Sequence, residues 1–136
     1  MKRRELFASL AVAVTAPACL HQQLFRAELD ADGATVVPRA QLDALGPSEA
    51  VVVRVPEAEA VVRRVGSAFV AVDPTCTHRN CAVTVAPDGY DCACHGSRFA
   101  PDGAVRGGPA TMPLRRFSTT LTRDGLRIVL AARGGG

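Results

Sequence analysis

Four of the five cysteines and two of the three histidines lie between positions 76 and 95. They form two short cassettes, each with a thiol close to an imidazole. The first cassette is Cys76-Thr77-His78-Arg79-Asn80-Cys81, and the second is Cys92-Ala93-Cys94-His95-Gly96-Ser97-Arg98-Phe99. Thiolates and imidazoles are the ligands that soft and borderline transition metals prefer. Each cassette could therefore give a metal centre one Cys and one His.

The resulting ligand pattern is Cys76-x-His78 and Cys92-x-x-His95, separated by thirteen residues. It leaves Cys81 and Cys94 over, one in each cassette, and a disulfide between them would tie the cassettes together. Zinc is one alternative, because it accepts Cys2His2 ligand sets at such spacings. A zinc site would not explain the two further cysteines. A framework of disulfides alone would leave the paired Cys and His spacing to chance.

The two cassettes resemble the signature of the Rieske iron-sulfur family, C-x-H-x-x-C followed by C-x-C-H-G-S. In Rieske centres, two histidines replace two cysteines on one iron of a [2Fe-2S] cluster. The resemblance implies one such cluster, with Cys76 and Cys92 on one iron, His78 and His95 on the other, and Cys81 and Cys94 as the family's disulfide pair. The iron with two neutral imidazoles is less electron-rich, so it should be the one that changes oxidation state.

Further roles follow from the same resemblance. The Ser97 hydroxyl would donate a hydrogen bond to the cluster and raise its potential. Phe99 stands where quinol-oxidising members commonly carry Tyr, and it lacks that hydroxyl, which predicts a lower potential. Gly108 and Pro109 look like part of the proline-containing loop that covers the cluster. Arg79 and Asn80 replace a usual Leu-Gly beside the first histidine, which favours an acidic protein partner or an anionic substrate over quinol. His21 lies outside both cassettes and is predicted to be exposed rather than a ligand.

The remainder of the chain predicts an all-β scaffold, because β-branched runs alternate with turn residues. Strands are predicted at 34–37, 51–55, 61–65 and 69–72, a hairpin around Pro87-Asp88-Gly89 between the cassettes, and a closing hairpin from 114–121 and 126–130. Residues 39–46 predict one helical turn. With the resemblance, this indicates a Rieske-type antiparallel β sandwich or barrel. Two loops would form a small cluster-binding subdomain on it.

Length and charge bound the class of protein. A chain of 136 residues suits one domain, and a net charge of +3 is too small and scattered to indicate nucleic-acid binding. We expect the Rieske domain over residues 34–131, a linker or short helix over 19–33, and a disordered tail over 132–136.

The N-terminal residues 1–18 combine Lys2-Arg3-Arg4, an apolar run and a small-residue end, which is the pattern of an export signal. The paired arginines resemble a twin-arginine signal, which exports folded proteins. The segment could instead be retained as an N-terminal anchor. Cys19 directly follows and is a candidate lipidation site. The expected location is the periplasm or the periplasmic face of the cytoplasmic membrane.

The sequence thus predicts an electron-transfer component rather than a stand-alone enzyme, since no second catalytic constellation is visible. The expected partner is a cytochrome or the large subunit of an oxidoreductase, as in cytochrome bc complexes or arsenite oxidase. Two alternatives are a Rieske ferredoxin that serves an oxygenase and a zinc-stabilised binding module. Such ferredoxins typically lack the extra cysteine pair, which is present in this chain.

Overall fold

Strands make up just under half of residues 22–131, the described part of the chain in the computed structural model, and the only helix among these residues is one short segment. The elements are β1 Gln22–Arg26, β2 Ala34–Pro38, α1 Arg39–Asp43, β3 Ala50–Val55, β4 Ala58–Val65, β5 Ala68–Val72, β6 Thr84–Ala86, β7 Gly89–Asp91, β8 Arg98–Phe99, β9 Val105–Gly107, β10 Ser118–Leu121 and β11 Gly125–Val129. They form three sheets, with strand orders β1-β3-β4-β5, β10-β11-β2 and β6-β7-β8-β9. Every pairing is antiparallel except that of β1 with β3. The predicted all-β fold is confirmed.

The sheet β1-β3-β4-β5 lies between two hydrophobic cores. The base core contains buried residues of β2, β3, β4 and β11, including Val51, Val53, Val62 and Ile128. Because successive side chains of a strand point to opposite faces, the alternate residues of β3 and β4 enter the second core. That cluster-side core consists of Ala50, Val52, Val61, Val72, Cys76, Tyr90, Cys92, Phe99, Ala110 and Leu114. Burial on both faces explains the unbroken run of valines in β3.

Two predicted segments differ in the structure. The expected linker or short helix is wrong for Gln22–Arg26, which forms β1 and pairs with β3. This edge strand is mostly exposed and polar, so it shows no hydrophobic alternation. Of the strand predicted over 114–121, only Ser118–Leu121 forms a strand, β10. The strand predicted over 61–65 is longer in the structure, because β4 begins at Ala58.

The short helix α1 and the turn before β7 agree with the prediction. No helix among residues 22–131 has the length and apolar character required to cross a membrane. The predicted export signal over 1–18, the candidate lipidation site Cys19 and the predicted tail over 132–136 lie outside the described residues.

Candidate metal centre

The small sheet β6-β7-β8-β9 positions the two cassettes. The first cassette follows β5 and precedes β6, and an isolated bridge between Thr75 and Ala82 closes its base. The second cassette joins β7 to β8, which pair through Asp91 and Arg98. The β6–β7 hairpin therefore connects the two cassettes and brings them to one end of the molecule.

The first cassette is a loop closed by its own backbone. The Cys76 N–H donates to the Cys81 carbonyl at 2.7 Å, and the Asn80 N–H donates to the Cys76 carbonyl at 2.9 Å. Asn80 has a φ of 58°, in the left-handed region that Asn tolerates better than most residues. The side chains of Arg79 and Asn80 are exposed at the tip.

The second cassette repeats this hydrogen-bond pattern. The Cys92 N–H donates to the Ser97 carbonyl at 2.8 Å, and the Gly96 N–H donates to the Cys92 carbonyl at 2.8 Å. Gly96 has a φ of 78°, at the place in the loop that corresponds to Asn80. The two cassettes are therefore built on the same backbone turn, although their sequences differ.

A disulfide joins Cys81 to Cys94, with their Cα atoms 6.5 Å apart. The predicted pairing is confirmed. The sulfur atoms of Cys81, Cys92 and Cys94 all lie within 4.8 Å of one another. This group is not itself a ligand set, because a disulfide sulfur has no thiolate to offer a metal. Of the three, only Cys92 remains available.

The remaining sulfur and nitrogen donors form two pairs on the two cassettes, one of thiols that share a hydrogen bond and one of imidazoles in contact. Cys76 and Cys92 are free thiols and are buried. The rings of His78 and His95 lie edge to face, with centroids 5.0 Å apart. The Nδ1 atom of His78 is buried and has no hydrogen-bond partner among the described residues. A buried nitrogen without a partner is costly unless something else binds it, so this donor set fits a metal centre with two thiolate and two imidazole ligands.

Hydrogen bonds prepare Cys76 to act as a thiolate. Burial is the largest influence on the pKa of this thiol and raises it. Hydrogen bonds to the sulfur act in the opposite direction and together outweigh burial, so the pKa lies below its ordinary value. The donors are the backbone of His78, the side chains of Cys92 and Ser97, and the backbone of Arg79. The thiolate is the form that binds metals.

Comparison with known families identifies this arrangement. The family model described as the Rieske [2Fe-2S] domain matches residues 33–118, a range that includes both cassettes and most of the chain. The chain belongs to the Rieske family. It is an electron-transfer protein with one [2Fe-2S] cluster.

Curated relatives and solved structures agree with the family. This Rieske chain is 32% identical over 74 residues to the cytochrome b6-f complex iron-sulfur subunit of Chlorobaculum thiosulfatiphilum. That match covers 53% of the chain and only 41% of the relative, so the chain spans well under two thirds of that subunit's length. The plasma membrane Rieske protein PetC3 from Synechocystis PCC 6803 is 30% identical, with a TM-score of 0.56 over 71% of this chain and 97% of that one.

A chain from an oxygenase–ferredoxin complex is structurally as similar to this Rieske chain as PetC3 is. A chain in the complex of reduced oxygenase and oxidised ferredoxin in carbazole 1,9a-dioxygenase is 27% identical to this Rieske chain, with a TM-score of 0.56. The match covers 72% of this chain and 94% of that one. Similarity of fold therefore does not by itself separate these two kinds of relative.

The proline-containing loop of this Rieske domain contacts both cassettes. The Ala110 N–H donates to the Ser97 hydroxyl oxygen at 3.0 Å, and Ser97 is fully buried. The Thr77 hydroxyl of the first cassette donates to the Met112 carbonyl at 2.7 Å. Gly108 and Pro109 lie just before Ala110 and are exposed. Because the Ser97 oxygen accepts from Ala110, its own proton is free to point toward sulfur.

Phe99 lies deep in the cluster-side core rather than at the surface. It is 1% exposed and pairs with Tyr90 across β7 and β8. Tyr90 is also buried, and burial raises its pKa to about 12, although the positive charge of Arg63 acts against this rise. Phe99 and Tyr90 share their core with Cys76 and Cys92, so both rings lie in the core that also holds the two candidate ligand thiols.

Two features of the site were not predicted from the sequence. Met112 is 65% exposed on the loop that contacts the first cassette. Arg63, which follows two valines in β4, is buried beneath the β6–β7 turn. The signal for Arg63 is a charged residue in a position where the strand pattern calls for an apolar one. An Arg in a run of β-branched residues is more often exposed, so this signal alone did not suggest a role.

Proposed function

We propose that this Rieske protein relays single electrons as the iron-sulfur subunit, or the small redox partner, of a membrane or periplasmic oxidoreductase. The observation that carries the proposal is a pair of buried thiols and a pair of adjacent imidazoles on two loops joined by the Cys81–Cys94 disulfide. The proposed ligands are Cys76 and Cys92 on one iron and His78 and His95 on the other. When bound, the cluster supplies a reversible one-electron couple.

The chain's own residues place the histidines where a partner can approach. His95 is exposed and His78 is half-buried, while both ligand thiols are covered by the protein. The electron would therefore enter and leave on the histidine side. The surrounding surface offers the apolar side chain of Met112 and the cation of Arg79. Arg79 has no ion-pair partner among the described residues, which leaves its charge available to an acidic surface.

The disulfide and the curated relatives favour an oxidoreductase subunit over a soluble ferredoxin. The Cys81–Cys94 bridge is the feature that the oxygenase ferredoxins typically lack. Disulfides also persist best in oxidising compartments, which supports export by the predicted signal. A ferredoxin that serves an oxygenase is the second candidate, because the carbazole dioxygenase complex contains a chain of similar fold. Retention of the first segment or lipidation of Cys19 would hold the domain at a membrane.

The cluster assignment is tested by spectroscopy of ligand variants. Dithionite-reduced wild-type protein should give the electron paramagnetic resonance spectrum of a Rieske cluster, and Cys76→Ser, His78→Ala and His95→Ala should abolish it. His21→Ala is the matched control, because this third histidine lies outside both cassettes. Loss of the signal in His21→Ala, or its survival in His95→Ala, would contradict the ligand assignment.

The docking assignment is tested by charge reversal. Arg79→Glu should slow electron transfer to an acidic cytochrome and weaken the dependence of the rate on salt, without changing the spectrum. Arg123→Glu is the control, because Arg123 is also exposed but lies on the turn between β10 and β11. If the two variants slowed electron transfer equally, the docking role assigned to Arg79 would be contradicted. A fusion of residues 1–33 to a periplasmic reporter tests export directly.

A further inference from the structure

Arg63 is the largest side chain that is fully buried in the described part of the chain. It projects from β4, and its guanidinium reaches the turn between β6 and β7. Nη1 donates to the Gly89 carbonyl at 2.6 Å, and Nη2 donates to the carbonyls of Ala86 and Pro87 at 2.8 and 2.9 Å. One side chain of the sheet β1-β3-β4-β5 thus binds three carbonyls of a turn that lies 23 to 26 residues away.

The positive charge of Arg63 has no ionic partner in the part of the chain that the structure describes. Within residues 22–131, no carboxylate forms an ion pair with it, and its Nε atom has no hydrogen-bond acceptor. The guanidinium carbon lies 5.2 Å from the centre of the Tyr90 ring, which offers a further weak attraction. Burying an unpaired cation is costly, and such groups are normally paired. A surface position would have avoided this cost.

The position of Arg63 relates its charge to the metal site. Arg63 shares the face of β4 that carries Val61, and Val61 belongs to the core that contains Tyr90 and both free thiols. The turn that it binds leads directly through Gly89 and Tyr90 to Cys92. The neighbouring Arg64 points to the opposite face, where it contacts Leu42 and the Phe69 ring.

We infer that Arg63 is a positioning residue for the metal centre: it fixes the hairpin between the cassettes to the sheet β1-β3-β4-β5, and its buried charge favours the reduced cluster. The second part rests on the proposed function. Two thiolates, two neutral imidazoles and two sulfides balance the charge of two ferric ions, so one added electron makes the site negative. A fixed cation in a poorly solvated core stabilises that added charge and raises the reduction potential.

Three variants of Arg63 separate the two parts of this inference in the full-length, iron-loaded protein. Arg63→Lys keeps the charge but loses the forked donor geometry, Arg63→Gln keeps a donor but loses the charge, and Arg63→Met loses both. Arg64→Met is the matched control on the opposite face of β4. The measurements are amide hydrogen exchange over residues 84–91 and the midpoint potential from a titration followed by electron paramagnetic resonance.

Anchoring predicts that amides of the β6–β7 hairpin exchange about tenfold faster or more in Arg63→Met and Arg63→Lys, because charge-assisted hydrogen bonds are lost. Arg64→Met should leave these amides unchanged. If the Arg63 charge stabilises the reduced cluster, the midpoint potential should be lower in Arg63→Gln and Arg63→Met than in wild type. It should be closer to wild type in Arg63→Lys, which keeps the charge.

Other results would overturn the inference. Hairpin exchange in Arg63→Met no faster than in Arg64→Met refutes the anchoring, and a wild-type potential in Arg63→Gln refutes the electrostatic role. Failure of the proposed function is distinguishable, because wild-type protein would then show no reducible iron cluster. The exchange comparison would still decide the anchoring in that case.

Discussion

Removal of the Cys81–Cys94 disulfide should destabilise the domain by an amount set mainly by the loop that it closes. The two cysteines are 13 residues apart in sequence. The chain-entropy relation gives about 3 kcal/mol for a loop of this size. At roughly 4 °C per kcal/mol for a domain of about this length, the double variant Cys81→Ala/Cys94→Ala should lose about 12 °C in Tm. Cys94 is exposed and Cys81 half-buried, so alanine leaves no deep cavity.

Removal of only one of these cysteines should damage the metal site more than removal of both. The sulfurs of Cys81, Cys92 and Cys94 lie within 4.8 Å of one another. In Cys81→Ala, the released Cys94 thiol therefore stands beside Cys92, where it can form a disulfide with Cys92 as dioxygen takes up the two electrons, or compete for iron. The same holds for Cys81 in Cys94→Ala. We expect the single variants to hold less iron than the double variant, although the double variant has lost the same disulfide.

The assay is thermal unfolding by circular dichroism, together with iron content and mass-spectrometric mapping of disulfides. Wild type and the double variant are compared both iron-free and iron-loaded, because bound metal stabilises the folded state in its own right. A fall in Tm of only a few degrees would show that the disulfide constrains the unfolded chain less than its loop length implies. Single variants with as much iron as the double variant would refute the idea that a released thiol interferes with Cys92.

Four further predictions follow from particular residues. Ser97→Ala should lower the reduction potential relative to wild type, because the hydroxyl between Ala110 and the Cys76 sulfur is lost; an unchanged redox titration would contradict this. Phe99→Tyr should raise the reduction potential, because it supplies the hydroxyl that Phe99 lacks; an unchanged potential in a redox titration would contradict this. Asn80→Ala should destabilise the fold by about 1 kcal/mol in urea unfolding, whereas Asn80→Gly should be neutral or better, because Asn80 has a left-handed backbone; equal effects would contradict that reason. The pKa of Asp30 is lowered mainly by the hydrogen bond from the Ala34 backbone. The ionised carboxylate therefore stabilises the folded state above about pH 4, and this stabilisation is lost as pH falls. Asp30→Asn should be less stable than wild type at pH 6 and show a smaller loss of Tm on acidification.

The sequence was sufficient to predict those parts of the molecule whose structure is decided by residue type alone. The paired Cys and His spacing predicted the cassettes and the disulfide, and the Pro87-Asp88-Gly89 turn predicted the hairpin between them. Those features depend on local chemistry. It also predicted β3 correctly, since a run of valines has few alternatives.

Other features depend on contacts between distant parts of the chain. Gln22–Arg26 forms a strand because β3 offers it a partner, and its own polar residues give no periodic signal. The burial of Arg63 is likewise decided by the three carbonyls of a turn more than twenty residues away. Because no spacing rule connects a strand residue to such a turn, the sequence offered an unusual residue but not its role. Met112 is a similar case, because its exposure follows from where its loop lies.

The repeated backbone turn of the two cassettes has a consequence for the speed of electron transfer. Each loop closes through its own main-chain hydrogen bonds. These involve the N–H and the carbonyl of Cys76 in one loop and those of Cys92 in the other. The shape of the site is therefore held by the polypeptide and does not have to be re-formed when the charge changes. A small reorganisation energy follows, because few atoms need to move as an electron arrives or departs. Such a carrier can exchange electrons rapidly even when little driving force is available.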